Sequence, residues 1–389
     1  MNIEKDFDDI VNFAKKIRHE LHKHPELSWS EYKTSKKIRN ILNTYGIEWK
    51  EYSNTGTVGY IAKNKKGIHI ALRCDIDAIE ISEKTNLPYS SLNESCMHAC
   101  GHDGHTATLI AVALFLKKNE NSLPGPISLI FQPAEEGGHG AKQLIIDGCL
   151  NNVDYIYGWH NWPSIKYNQA LCPDGTIMAG NATFKVYIQG RGGHSSQPEV
   201  CKDPVLAASA ITMALQQIVS RQVSPQKASV VSVTSINAPS GLTTIPSKSY
   251  LHGSIRFSDH DMKEDIKRSM FSIINNISTA YGVSSNIEFN DRYNPTINHS
   301  IPSITARKIL NEIFGENWKS DHISPIMASE DFSYYLNKIP GAFILIGSDD
   351  GTNKYNISCH NDQYCFNDNL IEKASKVLIR LANYSGPIL

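Results

Sequence analysis

Apolar residues switch between strand-like runs and helix-like spacing along the first half of the chain. Short apolar runs at 67–74, 127–132 and 154–160 predict buried strands, because continuous apolar segments bounded by turn residues are typical of parallel sheets. Apolar residues at helical spacing occupy the intervals between them, at 104–118 and 139–147. This alternation of strands and helices predicts an α/β domain with a mostly parallel sheet covered by helices.

The pattern changes near residue 181, where alternating strands replace the buried ones. Strand and helix segments then follow in the order β-α-β-β-α-β, at 183–190, 203–220, 228–236, 249–257, 259–280 and 285–291. That order is the split βαβ, ferredoxin-like unit, which is complete in itself. We therefore expect an inserted α+β domain over 181–292, and a first domain made from 1–180 and 293–389.

Charge and composition remove several classes of protein from consideration. The 389 residues include 38 Lys and Arg against 39 Asp and Glu, so no excess of positive charge favours a nucleic-acid or membrane partner. No apolar run reaches the roughly 18 residues of a membrane span, and the opening MNIEKDFDDIVNF lacks the apolar core of a secretory signal. We expect a cytoplasmic protein whose eight cysteines are thiols or ligands rather than disulfides.

The segment SCMHACGHDGHTATLI, residues 95–110, concentrates two cysteines and three histidines. A redox pair is one hypothesis, but Cys96 and Cys100 do not have the C-x-x-C spacing. A cysteine nucleophile is a second hypothesis, in which Cys100 would need a histidine base, an orienting group and an oxyanion hole. The many acids downstream are not needed by a thiol nucleophile, so we favour a third hypothesis, a metal site.

Polar residues follow the predicted strands at the edge where parallel sheets place their functional groups. Asp75 and Asp77 follow the first strand, Glu135 and Glu136 follow the second, and His160 ends the third. Two adjacent glutamates at a strand end cannot do the same job, so one can bind a cation while the other handles protons.

Two further segments supply ligand types that suit borderline metals. Cys100 and His102 are two residues apart in a glycine-containing loop, so both side chains can face one point. His360 lies far downstream in ISCHNDQYCFND. About five protein ligands and one free carboxylate fit two cations that share a bridging water.

Nine motifs in order resemble the M20 metallopeptidase family, and the resemblance runs from about residue 15 to 385. The motifs are RHELHKHPELSWSEYKTS, ALRCDIDAIEISEKTNLPY, MHACGHDGHTATL, FQPAEEGGHGAKQLIIDG, GWHNWP, GRGGHSSQPE, DPVLAAS, PIMASEDFSYY and CHNDQYCFND. The most similar branch is the amidohydrolases of N-acyl amino acids, such as hippurate hydrolases, N-acetyl amino acid deacylases and auxin-conjugate hydrolases. The resemblance implies a two-metal catalytic domain and a ferredoxin-like lid that also forms a homodimer.

The resemblance also implies a role for individual residues. The metal-binding positions match Cys100, His102, Glu136, His160 and His360. Glu135 matches the general base, and Asp77 matches the acid that orients the site. In the lid, His194 matches the histidine that stabilises the oxyanion, contributed in relatives by the partner subunit, and Arg256 matches a residue that receives the substrate carboxylate.

The expected reaction is metal-dependent hydrolysis of the amide bond of a small-molecule N-acyl amino acid, similar to hippurate or an N-acetyl amino acid. Zinc or manganese is the expected metal, with cobalt and nickel as alternatives. One departure from the family bears on substrate choice, because Thr243 in TTIP stands where relatives carry an asparagine expected to touch substrate. The alternatives are an aminopeptidase or dipeptidase of the same family, and a cysteine-nucleophile amidase.

Overall fold

The computed structural model describes residues 3–383 together with 385 and 386. Its helices are α1 (Ile3–Lys23), α2 (Tyr32–Thr44), α3 (His102–Lys118), α4 (Gly140–Ile146), α5 (Pro204–Gln217), α6 (His260–Ala280), α7 (Ser300–Phe314), α8 (Ser333–Leu336) and α9 (Asn369–Leu381). Its strands are β1 (Glu48–Tyr52), β2 (Gly56–Ile61), β3 (Ile70–Asp75), β4 (Ile127–Gln132), β5 (Tyr155–Lys166), β6 (Ala170–Leu171), β7 (Gly175–Met178), β8 (Gly180–Gln189), β9 (Gly193–His194), β10 (Ser229–Asn237), β11 (Thr244–Ile245), β12 (Lys248–Phe257), β13 (Ser284–Asp291), β14 (Thr296–Asn298) and β15 (Gly341–Asp349). No helix among these residues is long and apolar enough to cross a membrane.

The chain divides into two units, which are described separately below. The first unit contains Met1–Ile177, Ile297–Ile323 and Asp331–Leu389, and the second contains Met178–Thr296 and Ser324–Glu330. The second unit therefore includes residues 178–180 and 293–296 and a short segment, 324–330, all of which the sequence pattern placed in the first domain. That segment contacts the second unit through its backbone, where the Ala179 N–H donates to the Ile326 carbonyl over 2.9 Å.

A seven-stranded sheet in the order β1-β2-β4-β3-β5-β15-β6 forms the centre of the first unit. Only its four central strands, β4, β3, β5 and β15, are parallel. The three outer pairings are antiparallel, so the prediction of a mostly parallel sheet was wrong for its edges. For the β1–β2 pair the reason is local: Ser53 and Asn54 adopt positive φ in the tight turn between these strands, and so short a connection joins antiparallel strands.

Helix α3 is the central helix of the first unit. It is apolar on nearly all sides, and its residues from His102 to Leu116 are buried. It packs on β3 and β4 on one side and on α1 and α9 on the other. Because a helix enclosed in this way cannot shift easily, its N-terminus is a rigid place to hold Cys100 and His102.

The central parallel strands end at one edge of the sheet. Asp75 at the end of β3 pairs in register with Gln132 at the end of β4. On the other side of β3, Arg73 pairs with Gly158 of β5, so His160 lies two residues further along β5. The register therefore brings the ends of three strands together, as the sequence pattern predicted.

The second unit contains a four-stranded antiparallel sheet in the order β10-β12-β8-β13. Helices α5 and α6 cover one face and share a core with the inward-facing residues of the strands. The chain order β8-α5-β10-β12-α6-β13 gives the strand arrangement of a split βαβ unit. Its role as a lid or a dimerisation domain stays a prediction at this point.

Candidate metal centre and catalytic site

Three ligand atoms from two separate parts of the first unit meet at the C-terminal edge of its sheet. One ligand atom from each of Cys100, His102 and His160 lies within 4.8 Å of the other two. The Cys100 Sγ and the His160 Nε2 are 3.3 Å apart. A thiol and two imidazoles in this arrangement are a donor set that suits zinc and similar metals.

Two further groups of potential ligands overlap with the first. Cys100, Glu136 and His360 form one of these, and His102, Glu135 and Glu136 form the other, each within the same 4.8 Å limit. The Glu136 Oε1 and the His360 Nε2 are 3.0 Å apart. The five residues predicted as metal ligands and the predicted base therefore lie in one continuous cluster.

Backbone conformation explains how Cys100 and His102 reach the same point. Gly101 between them adopts a φ of +90°, which side chains rarely allow, and a Cβ at this position would clash with Asn161 and Tyr364. His360 also has a positive φ, of +64°, and its N–H donates to the Ala99 carbonyl over 2.9 Å. Unusual backbone of this kind persists only where surrounding contacts hold it, and it is frequent at functional sites.

Asp77 organises the site through four contacts. Its Oδ1 accepts a hydrogen bond from the Glu135 N–H at 3.1 Å, and its Oδ2 accepts one from the Glu136 N–H at 2.9 Å. The Ser28 hydroxyl donates to Oδ2 over 2.7 Å. The His102 Nδ1 lies 2.9 Å from the Asp77 carbonyl oxygen, so this nitrogen donates and directs the ring's Nε2 to the cluster.

A buried network behind the cluster was not predicted from the sequence. Arg73 is fully buried and donates to Asp75 at 2.8 Å, to Gln132 at 2.8 Å and to Asp331 at 3.0 Å. The Asp331 N–H in turn donates to the Glu135 Oε1 over 3.3 Å. The motif ASEDFSYY had marked the segment that contains Asp331, but its letters alone did not indicate a contact with Glu135.

Two of the histidines in the cluster have opposite electrostatic environments. Burial lowers the pKa of His160 well below its usual range, helped by neighbouring His105, so His160 is neutral and its Nε2 can act as a ligand. Burial also opposes the charge of His102, but Asp75 and Asp77 more than offset it and raise its pKa to about 10. The carboxylates around His102 therefore favour a positive charge at this place.

The residues present fit a bound cation. The Nε2 of His102 is buried and has no hydrogen-bond partner within the described residues, although it points to a cluster of anionic and neutral donors. An unsatisfied buried nitrogen is unfavourable, and a metal ion in place of a proton would satisfy it.

The environment of Cys100 opposes the nucleophile hypothesis. Contact with Cys359, burial and the carboxylate of Glu136 raise the pKa of the Cys100 thiol well above its usual range. A cysteine nucleophile needs the reverse, because the thiolate is the reactive form. Binding to a cation is the condition under which this thiol would lose its proton.

The three remaining predicted residues belong to the second unit. His194 is exposed on the two-residue strand β9, which pairs with β11, and its Nδ1 lies 2.7 Å from the Ser196 hydroxyl. The exposed Thr243 accepts a hydrogen bond at its carbonyl from the Ser195 N–H over 2.9 Å. Arg256 is partly buried and donates to the Ser329 hydroxyl over 2.9 Å. These contacts lie within the second unit and leave the roles of the three residues as predictions.

Residues 71–384 match the model of peptidase family M20/M25/M40. The chain belongs to this family. It is 37% identical over 386 residues to a hippurate hydrolase of Campylobacter jejuni, covering 98% of this chain and 99% of that protein. It is 38% identical over 367 residues to an N-acetyl-L-cysteine deacetylase of Bacillus subtilis, covering 94% of this chain and 86% of that protein.

A solved structure supports the same placement. The crystal structure of a dinuclear metal-binding peptidase of the M20 family from Bacillus subtilis superimposes with a TM-score of 0.83 at 30% identity, covering 96% of this chain and 98% of that one. Together with the family match and the two similar hydrolases, this structure shows that the chain is a metal-dependent amidohydrolase. It has an α/β fold and a candidate metal site.

Proposed function

We propose that this amidohydrolase cleaves the amide bond of N-acyl amino acids and releases a carboxylic acid and a free amino acid. The observation that carries the proposal is that three groups of ligand atoms share members and so form one cluster: Cys100, His102 and His160; Cys100, Glu136 and His360; and His102, Glu135 and Glu136. Relatives that act on hippurate and on N-acetylcysteine support the substrate class.

The residues that would hold two divalent cations are Cys100, His102, Glu136, His160 and His360. Zinc and manganese suit this mixture of thiol, imidazole and carboxylate, and cobalt and nickel are the alternatives. When bound, such cations polarise the amide carbonyl and lower the pKa of water toward about 7.

Glu135 would carry the proton in this reaction. It is almost completely buried. Its side chain is held by a hydrogen bond from the Asp331 N–H, and its backbone N–H donates to the Asp77 carboxylate. From there it would accept a proton from the attacking water and deliver it to the departing amine. A positioned acid–base group of this kind contributes typically 10²–10⁴-fold to the rate.

The second unit would act as a lid and as the surface of a homodimer. In this proposal His194 donates a hydrogen bond to the oxyanion, Arg256 receives the substrate carboxylate, and Thr243 contacts the substrate. A cytoplasmic location completes the proposal and rests on the sequence alone.

The test is a substrate panel with protein stripped of metal by a chelator and reloaded separately with Zn²⁺, Mn²⁺, Co²⁺ or Ni²⁺. Hippurate and a series of N-acetyl amino acids are the expected substrates, and dipeptides and aminopeptidase substrates are the comparison. We expect no turnover in stripped protein and amine release from acyl amino acids after reloading.

Two outcomes of the same panel contradict the proposal. Faster turnover of dipeptides or free-amine peptides than of any acyl amino acid would favour the peptidase alternative. Full activity in stripped protein, lost on treatment with iodoacetamide, would favour the cysteine-nucleophile amidase.

A further inference from the structure

Cys100 has a second thiol beside it that the proposed reaction does not use. Among the groups around Cys100, the Cys359 thiol has the largest influence on the pKa of the Cys100 thiol, which it raises. The backbone confirms that the two segments run side by side, because the His360 N–H donates to the Ala99 carbonyl over 2.9 Å. Cys100 and Cys359 are therefore the immediate sequence neighbours of the two residues that this hydrogen bond joins.

Cys100 and Cys359 also differ from the other cysteines in their exposure to solvent. All eight cysteines lie within the described part of the chain, and all are free thiols. Six of them are buried, and only Cys100 and Cys359 are partly exposed. Cys96 is only four residues from Cys100 in sequence but is 1% exposed, whereas the partly exposed Cys359 is more than 250 residues away.

We infer that Cys100 and Cys359 are a modification site at which a hydroperoxide forms a reversible disulfide. The partly exposed Cys359 thiol attacks the peroxide, the O–O bond breaks, and a sulfenic acid on Cys359 and water (or an alcohol) are formed. The second thiol then attacks the sulfenic sulfur and releases water. In total two thiols are oxidised to one disulfide while one peroxide is reduced.

The consequence of this reaction depends on the proposed function. If Cys100 is a metal ligand, the disulfide removes its sulfur from the metal site, and a bound metal in turn protects the thiol from oxidation. The site would then be oxidised only when it has lost its metal, and it could not be reloaded until a thiol reductant reopened the disulfide.

The experiment uses the full chain, stripped of metal by a chelator and treated with hydrogen peroxide. Remaining thiols are alkylated, and the protein is digested and analysed by mass spectrometry. Because Cys96 shares a tryptic peptide with Cys100, and Cys365 shares one with Cys359, the variants Cys359→Ser and Cys365→Ser are compared with the wild type.

We expect the linked peptide in the wild type and in Cys365→Ser, and its absence from Cys359→Ser. Oxidised wild type should bind Zn²⁺ with an affinity lowered by more than about tenfold, and dithiothreitol should restore it, since even partial disturbance of a metal site costs this much. The Cys359→Ser variant should keep its turnover before oxidation.

Two results overturn the inference. One is a linked peptide that persists in Cys359→Ser, because another pair would then be oxidised. The other is the absence of a linked peptide from wild type in which Cys100 and Cys359 both react with iodoacetamide. Both thiols would then be accessible to reagents in solution and still fail to form a disulfide. Equal linking with and without Zn²⁺ is a separate outcome, which would remove Cys100 from the proposed metal ligands while establishing the thiol pair.

Discussion

The two units hold their predicted functional residues in different ways. In the first unit, Asp77 and His102 are almost completely buried, and backbone N–H groups, a hydroxyl and a carbonyl fix their positions. In the second unit, His194 and Thr243 are exposed and lie on or beside two-residue strands. From the proposed roles, we expect metal binding to depend on the first unit alone and turnover to depend also on His194 of the second unit.

The largest expected effect comes from Glu135→Gln. The amide keeps the shape of the side chain but cannot accept the proton, so kcat should fall by about 10²–10⁴-fold while the metal content stays unchanged. Elemental analysis and steady-state kinetics with an acyl amino acid measure the two quantities. The matched control is the adjacent Glu136→Gln, which should lose metal; equal metal loss in both variants would contradict the division of roles between the two glutamates.

The second-largest expected effect concerns His194 in the second unit. His194→Ala should lower kcat by about 10²–10³-fold, as removal of one oxyanion donor does, with no change in metal content. Ser196→Ala removes only the hydroxyl that contacts His194, so its effect should be much smaller. Loss of metal from His194→Ala would show that the second unit contributes to metal binding after all.

The third effect concerns stability and pH in the first unit. Burial opposes the charge of His22, but Asp103 and Glu83 more than offset it and raise its pKa from 6.5 to about 9. Charged His22 therefore stabilises the fold fully below pH 6.5, and this contribution, about 3 kcal/mol, is lost as the pH rises to about 9. Arg18 also faces this histidine and lowers its pKa in part. His98 lies nearby as well, but burial lowers its pKa to about 4, so it is neutral at both pH values.

Tryptophan fluorescence measures this effect selectively, because all five tryptophans belong to the first unit. The free energy of unfolding in urea is compared between wild type and His22→Gln at pH 6 and pH 9.5. The wild type should be more stable at pH 6, and most of that advantage should disappear at pH 9.5. An advantage that grows with pH would mean that His22 is neutral in the folded protein.

The smallest effect tests the hydrogen bonds around Asp77. Asp77→Asn keeps the shape but weakens the acceptance of two N–H groups and removes the negative charge 3.4 Å from the His102 Nδ1, so metal affinity should fall by about 10–100-fold. Competition with a chelator of known affinity measures the change. Ser28→Ala removes only one of the contacts of Asp77 and should have a weaker effect; an unchanged affinity in Asp77→Asn would leave His102 oriented by other groups.

The sequence predicted those parts of the molecule that depend on local pattern. Strand ends, the glycine at position 101 and the run CGHDGH were visible as residue types at fixed spacing, and they led to Cys100 and His102. The β-α-β-β-α-β order of the second unit followed from alternation in the same way.

The parts that were missed depend on contacts between distant residues. A buried arginine such as Arg73 is indistinguishable in sequence from a surface one, and nothing near it indicates that its partner is Asp331, 258 positions away. The contact between Cys100 and Cys359 is of the same kind. The antiparallel edge of the first sheet was missed because β1 (EWKEY) is largely charged, β2 (GTVGYI) is interrupted by glycines, and a tight turn joins them, so no continuous apolar run marks either strand.

The long separation between Glu135 and the N–H that holds it has a consequence for biosynthesis. Asp331 follows Glu135 by 196 positions, and His360 is made later still. At ribosomal rates of about 5–20 residues per second, roughly 10–40 s pass between the synthesis of the base and that of its support. The growing chain can form α3, β3, β4 and β5 during this interval, but β15 and the completed cluster must wait for the final part of translation.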